Sequence, residues 1–124
     1  KVLNAARCFC ELYDAEMHVV AVTPMSQVLH DLEIIDERVL AKKVEAATRE
    51  QREAMLAPYD VPPRRVHQPV GKVGPTVARV ARQLKADLLV VGTSAHRVRQ
   101  SLGLGNSAEQ ILTHAECDVL AIHP

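Results

Sequence analysis

The stretch ADLLVVGTSAHRVRQSLGLGNSAEQILTHAECDVLAIHP, residues 86–124, decides the fold. Four aliphatic residues in a row, 88–91, end at Gly92, and a second run of the same kind covers 119–122. Short aliphatic runs closed by a chain breaker are typical of strands buried on both faces of a sheet. Between them, apolar residues recur at helical spacing: Ala108, Ile111, Leu112 and Ala115. The stretch therefore predicts a strand, a loop, a helix and a second strand.

The upstream chain alternates in the same way. A run at 19–22 closed by Pro24 predicts a buried strand, and residues 64–70 predict a weaker one, in which Pro69 favours a sheet edge. Helical spacing covers three segments, 2–13, 36–57 and 73–84. In the segment 36–57, we expect Leu40, Val44 and Ala47 to face inward and the charged residues to form a solvated outer face. Pro58 ends that helix. In the segment 73–84, Pro75 suits the first turn of the helix. This order predicts an α/β fold, an open parallel sheet with helices on both faces.

Composition limits the classes of function. The chain has 124 residues, the size of one domain, and its 15 basic and 15 acidic residues cancel, which argues against a nucleic-acid groove. Three aromatic residues are too few for a base-stacking platform. No apolar run approaches the roughly 20 residues that span a bilayer. Three cysteines argue against a disulfide framework. We expect a cytoplasmic domain that neither binds nucleic acid nor crosses a membrane.

The loop after the strand at 88–91 is the candidate binding site. Backbone N–H groups of Gly105, Asn106 and Ser107 open the following helix, and together with its dipole they could hold a phosphate. His96, Arg97 and Arg99 add positive charge nearby. The alternative is a plain strand-to-helix loop, in which Asn106 and Glu109 have the spacing of a capping box. The residues alone leave both interpretations open.

The remaining reactive residues predict no chemistry. Cys8 and Cys10 lie two apart on a helix and point to different sides, and no second Cys/His pair has zinc-ligand spacing. We therefore expect buried structural thiols, with Cys117 as a small core residue. The six histidines form no metal-binding motif, and no serine lies in a nucleophile elbow. We expect neither a metal site nor catalysis.

The opening stretch resembles the C-terminal part of universal stress protein domains. That family carries G-x2-G-x9-G-(S/T) after an apolar strand, and Gly92 and Gly105 match its first and third glycines. The closing stretch also matches, at His114, Ala115, Cys117, Val119 and Leu120. Gly71 and residues 18–24 extend the resemblance to nearly the whole chain. Residues 104–112 are most similar to the tandem-domain, E-type branch, in which two such domains share one polypeptide.

The resemblance also implies a nucleotide site, from which this sequence departs. The family's nucleotide positions fall on Val22, Val91, Gly92, Gly105, Asn106 and Ser107. Its second motif glycine falls on Ala95, whose methyl group obstructs a left-handed turn, and Asn106 replaces its Ser or Thr. We therefore expect a non-catalytic stress-response domain that acts by association and binds at most a small ligand. The alternative is an ATP-binding regulatory domain. A third possibility is a catalytic protein of a wider nucleotide-binding α/β group, such as a flavoprotein subunit or a ligase-like domain. Such a protein should carry a pyrophosphate-binding signature, and this sequence has none.

The family's fold implies five strands in the order 3-2-1-4-5, of which residues 1–124 supply strands 2 to 5. We expect residues before Lys1 to supply the first strand, which in nucleotide-binding members carries an Asp. The chain would then be one N-terminally incomplete domain, such as half of a tandem pair. In this family the last strand pairs with its mate from a second domain. We expect a homodimer or a tandem pair through the edge strand 119–122.

Overall fold

A computed structural model of the chain describes residues 1–24, 37–93 and 106–123. Its helices are α1 (Val2–Tyr13), α2 (Glu37–Leu56), α3 (Val73–Gln83) and α4 (Asn106–His114). Its strands are β1 (Val19–Val20), β2 (Thr23–Pro24), β3 (Val66–His67), β4 (Val70–Gly71), β5 (Leu88–Gly92) and β6 (Asp118–Ile122). The helices and most strands lie where the hydrophobic pattern predicts them, and the alternation of helices and strands is confirmed. Two details differ: β2 lies beyond the predicted run 19–22, and a 3₁₀ helix, Pro63–Arg65, replaces the predicted start of the strand at 64–70.

The chain forms two compact units, and the first comprises Lys1–Met17 and Lys72–Pro124. In it β5 and β6 pair in parallel over five residues, from Leu88 opposite Asp118 to Gly92 opposite Ile122. Helix α1 lies against β5, and α3 packs against α4. The buried apolar residues of this unit come from α3, α4 and β5, and α1 contributes none: Val77, Ala78, Val80, Ala81, Val91, Ala108 and Ile111.

The contact between α3 and α4 is close at one point. A Cβ atom at Gly74 would lie 2.5 Å from the backbone oxygen of Gln110, so only glycine fits this position without a shift. Pro75 lies in the first turn of α3, as predicted. In α4, Ala108 and Ile111 are buried, but Leu112 is 41% exposed. The prediction of a continuous inward stripe is therefore wrong at Leu112, because α4 buries a narrower face than its apolar residues cover.

The second unit, His18–Gly71, contains a parallel ladder broken into two pieces. β1 pairs with β3, and β2 pairs with β4. The Ala21 N–H donates to the His67 carbonyl (2.9 Å) and the Thr23 N–H donates to the Pro69 carbonyl (3.0 Å). A parallel ladder also needs residue 69 to donate to the Ala21 carbonyl, and proline has no N–H. The weak strand predicted at 64–70 is therefore two short strands.

Helix α2 belongs to the same unit. It ends at the buried Leu56, and Pro58 lies in the 3₁₀ turn Ala57–Tyr59 that follows, as expected of a residue that ends the helix. Arg49 donates to Glu53 at 2.8 Å on an exposed face, in keeping with a solvated outer surface. The side chains predicted to face inward lie outside the described part of the chain, as does Asp36: Leu40, Val44 and Ala47.

The α/β class with parallel strands is confirmed, whereas the described residues form three two-stranded sheets rather than one of five strands. In β5, Val91 is buried but the three residues before it are only half-buried. The expectation that β5 is buried on both faces is therefore met only at Val91.

In the described segments, no helix combines the length and the apolar character that a bilayer crossing requires.

Candidate functional site

The carboxyl end of β5 forms one side of the predicted binding loop. Val91 is buried, with 8% of its surface exposed, and Gly92 is exposed at the end of the strand. A Cβ atom at Gly92 would lie 3.1 Å from Cγ2 of Val2, so α1 closes over this glycine. The backbone of Gly92 is therefore exposed to solvent on one side and lies close to Val2 of α1 on another.

Thr93 fixes the direction in which the chain leaves β5. Its side chain is 93% buried, with 7% exposed. Its N–H donates to the Ile122 carbonyl at 3.0 Å, and its hydroxyl donates to the same oxygen at 3.4 Å. Both polar groups of Thr93 are thus used to hold the ends of β5 and β6 together. Sequence analysis missed this role, since a threonine after a strand reads as the start of a loop.

The start of α4 supplies the other predicted donors. The helix begins at Asn106, and Ser107 is exposed in its first turn, while Ala108 (3% exposed) anchors that turn in the core. The N–H groups of a first turn have no partner within the helix, and its dipole favours an anion there. Glu109 lies in the same turn, and its Oε1 is buried without a hydrogen-bond partner. That oxygen makes no capping bond, and its negative charge opposes the binding of a phosphate.

Val22 and Gly105 are the remaining residues of the predicted nucleotide site. Val22 is half-buried in the second unit, between β1 and β2. Gly105 lies outside the described residues, together with Ala95 and the basic residues of the loop, His96, Arg97 and Arg99. The described part of the first unit therefore contains four of the six predicted positions, two at the end of β5 and two at the start of α4.

A second candidate site is the edge of β6 that faces away from β5. Because the Ile122 carbonyl accepts from Thr93, the backbone polar groups of Ile122 point toward β5. Along a strand these groups alternate in direction, so those of Val119 and Ala121 point to the opposite edge. Among the described residues, β6 pairs with β5 alone. These outward N–H and C=O groups can therefore bond to another strand.

The cysteines differ from the prediction in one respect. Cys8 is exposed on α1, so the expectation of buried structural thiols is wrong there, because the C-terminal half of that helix packs little of its surface. Cys10 and Cys117 are half-buried, and none of the three cysteines forms a disulfide. Burial, and then the charge of Asp118, raise the pKa of Cys117 and disfavour its thiolate. No group of three or more metal-ligating side chains occurs within the ranges that the structure describes.

Comparisons with other proteins agree on one family. The sequence profile of the universal stress protein family matches residues 2–123. Universal stress protein A homolog 1 of Coxiella burnetii is 37% identical over 83 residues, 67% of this chain and 57% of that protein. Universal stress protein E of Escherichia coli (strain K12) is 25% identical over 111 residues, 88% of this chain and 35% of that protein.

A solved structure shows the same fold. The crystal structure of the functionally unknown protein PA1789 from Pseudomonas aeruginosa PAO1 has a TM-score of 0.70 and 29% identity to this chain. The match covers 98% of this chain and 39% of that one. The chain thus spans little more than half of the Coxiella relative, and well under half of the other two proteins.

Proposed function

The chain belongs to the universal stress protein family, and from this premise we propose that it is a non-catalytic stress-response domain that acts by association. The observation that carries the proposal is the open edge of β6. Val119 and Leu120 are apolar and half-buried, and the backbone groups of Val119 and Ala121 point away from β5. An apolar strand with unpaired backbone groups favours pairing with a further strand. The partner we propose is a second domain of the same kind.

The direct test removes one outward-facing donor. Ala121→Pro deletes the N–H that faces the open edge, while the bonds from β5 to Leu120 and Ile122 remain. We expect light scattering to give twice the chain mass of 13.6 kDa for the wild type and the single mass for Ala121→Pro. Ala121→Ser, which keeps the N–H, is the matched control and should remain a dimer. A Pro variant that stays dimeric, or a wild type that is monomeric at every concentration, contradicts the proposal.

The second domain can belong to the same polypeptide. The chain covers 35% of universal stress protein E and 39% of PA1789, which supports its being one half of a tandem pair. We also propose the five-strand order 3-2-1-4-5 for the complete sheet. β5 supports it, since its aliphatic run is typical of an interior strand of a parallel sheet, while among the described residues it pairs with β6 alone. Three cysteines and no disulfide among them support a reducing compartment such as the cytoplasm.

A second candidate function is ATP binding in a regulatory role. Two observations favour it. Gly92 is exposed at the end of β5, and α4 begins at Asn106, so that its first-turn N–H groups have no partner within the helix. Glu109 in the same turn weighs against it. Isothermal titration with ATP and Mg²⁺ separates the two functions, because micromolar binding favours the regulatory domain and the absence of heat favours association without nucleotide.

A further inference from the structure

Two histidines of the second unit meet across the first strand pair. Nδ1 of His18 lies 3.0 Å from Nε2 of His67, at hydrogen-bond distance. The ring centroids are 5.3 Å apart and the ring planes differ by 17°. The distance between the centroids is close to the distance between the nitrogens plus one ring radius on each side. This is the separation expected when both nitrogens lie on the line that joins the two centroids. The rings therefore meet edge to edge, with one nitrogen pointing at the other.

The strand register explains why these two side chains meet. Val19 lies opposite Val66 and Val20 opposite His67, so His18 precedes β1 by one residue and is diagonal to His67. Opposite and diagonal positions two residues apart share a face of the ladder. Each strand has only two residues, so this side-chain contact is a substantial part of what joins β1 to β3.

The number of protons on the two rings determines whether the contact between His18 and His67 is attractive or repulsive. A neutral pair has one N–H between the two nitrogens, and one ring donates to the other. A pair with one added proton keeps the bond, because a charged ring donates to a neutral one. A pair with two added protons has a hydrogen on both nitrogens and two positive charges, so the contact becomes repulsive.

We propose that His18 and His67 form a proton-sharing pair that holds β1 against β3 and releases it when both rings are protonated. The device makes this strand pair sensitive to acid and needs no ligand. It goes beyond the proposed function, since neither histidine belongs to β6 or to the predicted nucleotide positions.

The electrostatic surroundings agree with this geometry. Burial, and then the positive charge of His18, lower the pKa of His67. The nearest charged residues along the chain are Glu16 before β1 and Arg64 and Arg65 before β3, and none of them is among the causes of that shift. Because the folded pKa is lowered, the open state binds more protons, and stability is lost as the pH falls. The loss begins near pH 6.5, the ordinary value for histidine, and is complete at the lowered pKa of His67.

The first experiment needs no substitution. In protein labelled with ¹⁵N-histidine, a scalar coupling across the hydrogen bond should join Nδ1 of His18 to Nε2 of His67 at neutral pH and disappear in acid. The Ala21 amide donates to the His67 carbonyl, so its protection from exchange reports on the same strand pair. We expect its protection factor to fall about tenfold per pH unit within the window, since opening takes up one proton. No coupling at any pH, with constant protection, overturns the proposal.

Variants identify the groups responsible. His67→Gln and His18→Gln each put a side chain that does not titrate at one position of the pair. The slope of Ala21 protection against pH should vanish in His67→Gln. It should become smaller in His18→Gln, where the charge of His18 is gone but the burial of His67 remains. His123→Gln removes an exposed histidine of the other unit and should keep the wild-type slope. A Gln variant at either position of the pair that retains the full slope overturns the proposal. If a Gln variant does not fold, the coupling in the wild type decides alone.

Discussion

The two compact units hold their strands in different ways. In Lys1–Met17 with Lys72–Pro124, β5 and β6 pair over five residues without a break, and α3 and α4 bury an aliphatic core. In His18–Gly71, strands of two residues are interrupted where Pro69 cannot donate, and a histidine pair joins β1 to β3. The first unit therefore depends on packing, which is insensitive to pH, and the second depends in part on a contact that protons can break.

The largest expected effect is a cavity in the first unit. Ile111→Ala removes a side chain that is 8% exposed and should lower the free energy of unfolding by about 2–5 kcal/mol. Leu112→Ala, at the next position of the same helix but 41% exposed, should cost clearly less. Urea unfolding followed by circular dichroism measures both. Equal losses would mean that the packing in this unit does not follow the described burial.

A smaller loss is expected where the two helices touch. Gly74→Ala places a Cβ atom 2.5 Å from the backbone oxygen of Gln110, and the helices must move apart at a cost of about 1–3 kcal/mol. Arg79→Ala, at an exposed site of α3, should stay within about 0.5 kcal/mol of the wild type. The same unfolding measurement applies. A neutral Gly74→Ala variant would show that α3 and α4 are not in close contact.

The smallest effect is a gain in the second unit. Pro69→Ala supplies the missing N–H for the Ala21 carbonyl and should make the ladder continuous, at a gain of about 0.5–1.5 kcal/mol. Part of this gain is offset, because proline also restricts the unfolded chain. Hydrogen exchange should show a protected amide at residue 69, with Pro62→Ala, outside the ladder, as the control. A freely exchanging amide at 69 would mean that proline is not the cause of the break.

Much of the fold follows from the spacing of apolar residues. The runs at 88–91 and 119–122, the stripe of α3 and the stop at Pro58 each specify an element with little help from the rest of the chain. Leu112 was misplaced because periodicity shows which residues share a face, but not how much of that face a neighbour covers. Cys8 was expected to be buried because free cysteines usually are, and residue type does not show which part of a helix is covered. Tyr13 likewise continues the apolar spacing of α1 and is 69% exposed.

The candidate sites were less predictable, for a different reason. The glycine and the helix start of the loop are visible in the sequence, because they are local. The outward N–H of Ala121 and the meeting of His18 with His67 depend on strand register, which joins residues far apart in the chain. The two histidines are 49 residues apart, and no local motif links them. Only the observed pairing of β1 with β3 shows that they form a bond.

The contact of Val2 with Gly92 has a consequence for synthesis of the protein on the ribosome. Helix α1 packs beside β5, yet the two are separated by the whole of the second unit. At translation rates of about 5–20 residues per second, the residues of α1 are made roughly 5–20 s before Gly92 follows. During that interval the face of α1 that contacts β5 lacks this partner. The contact of Val2 with Gly92 can therefore form only late in synthesis, after β5 has emerged from the ribosome.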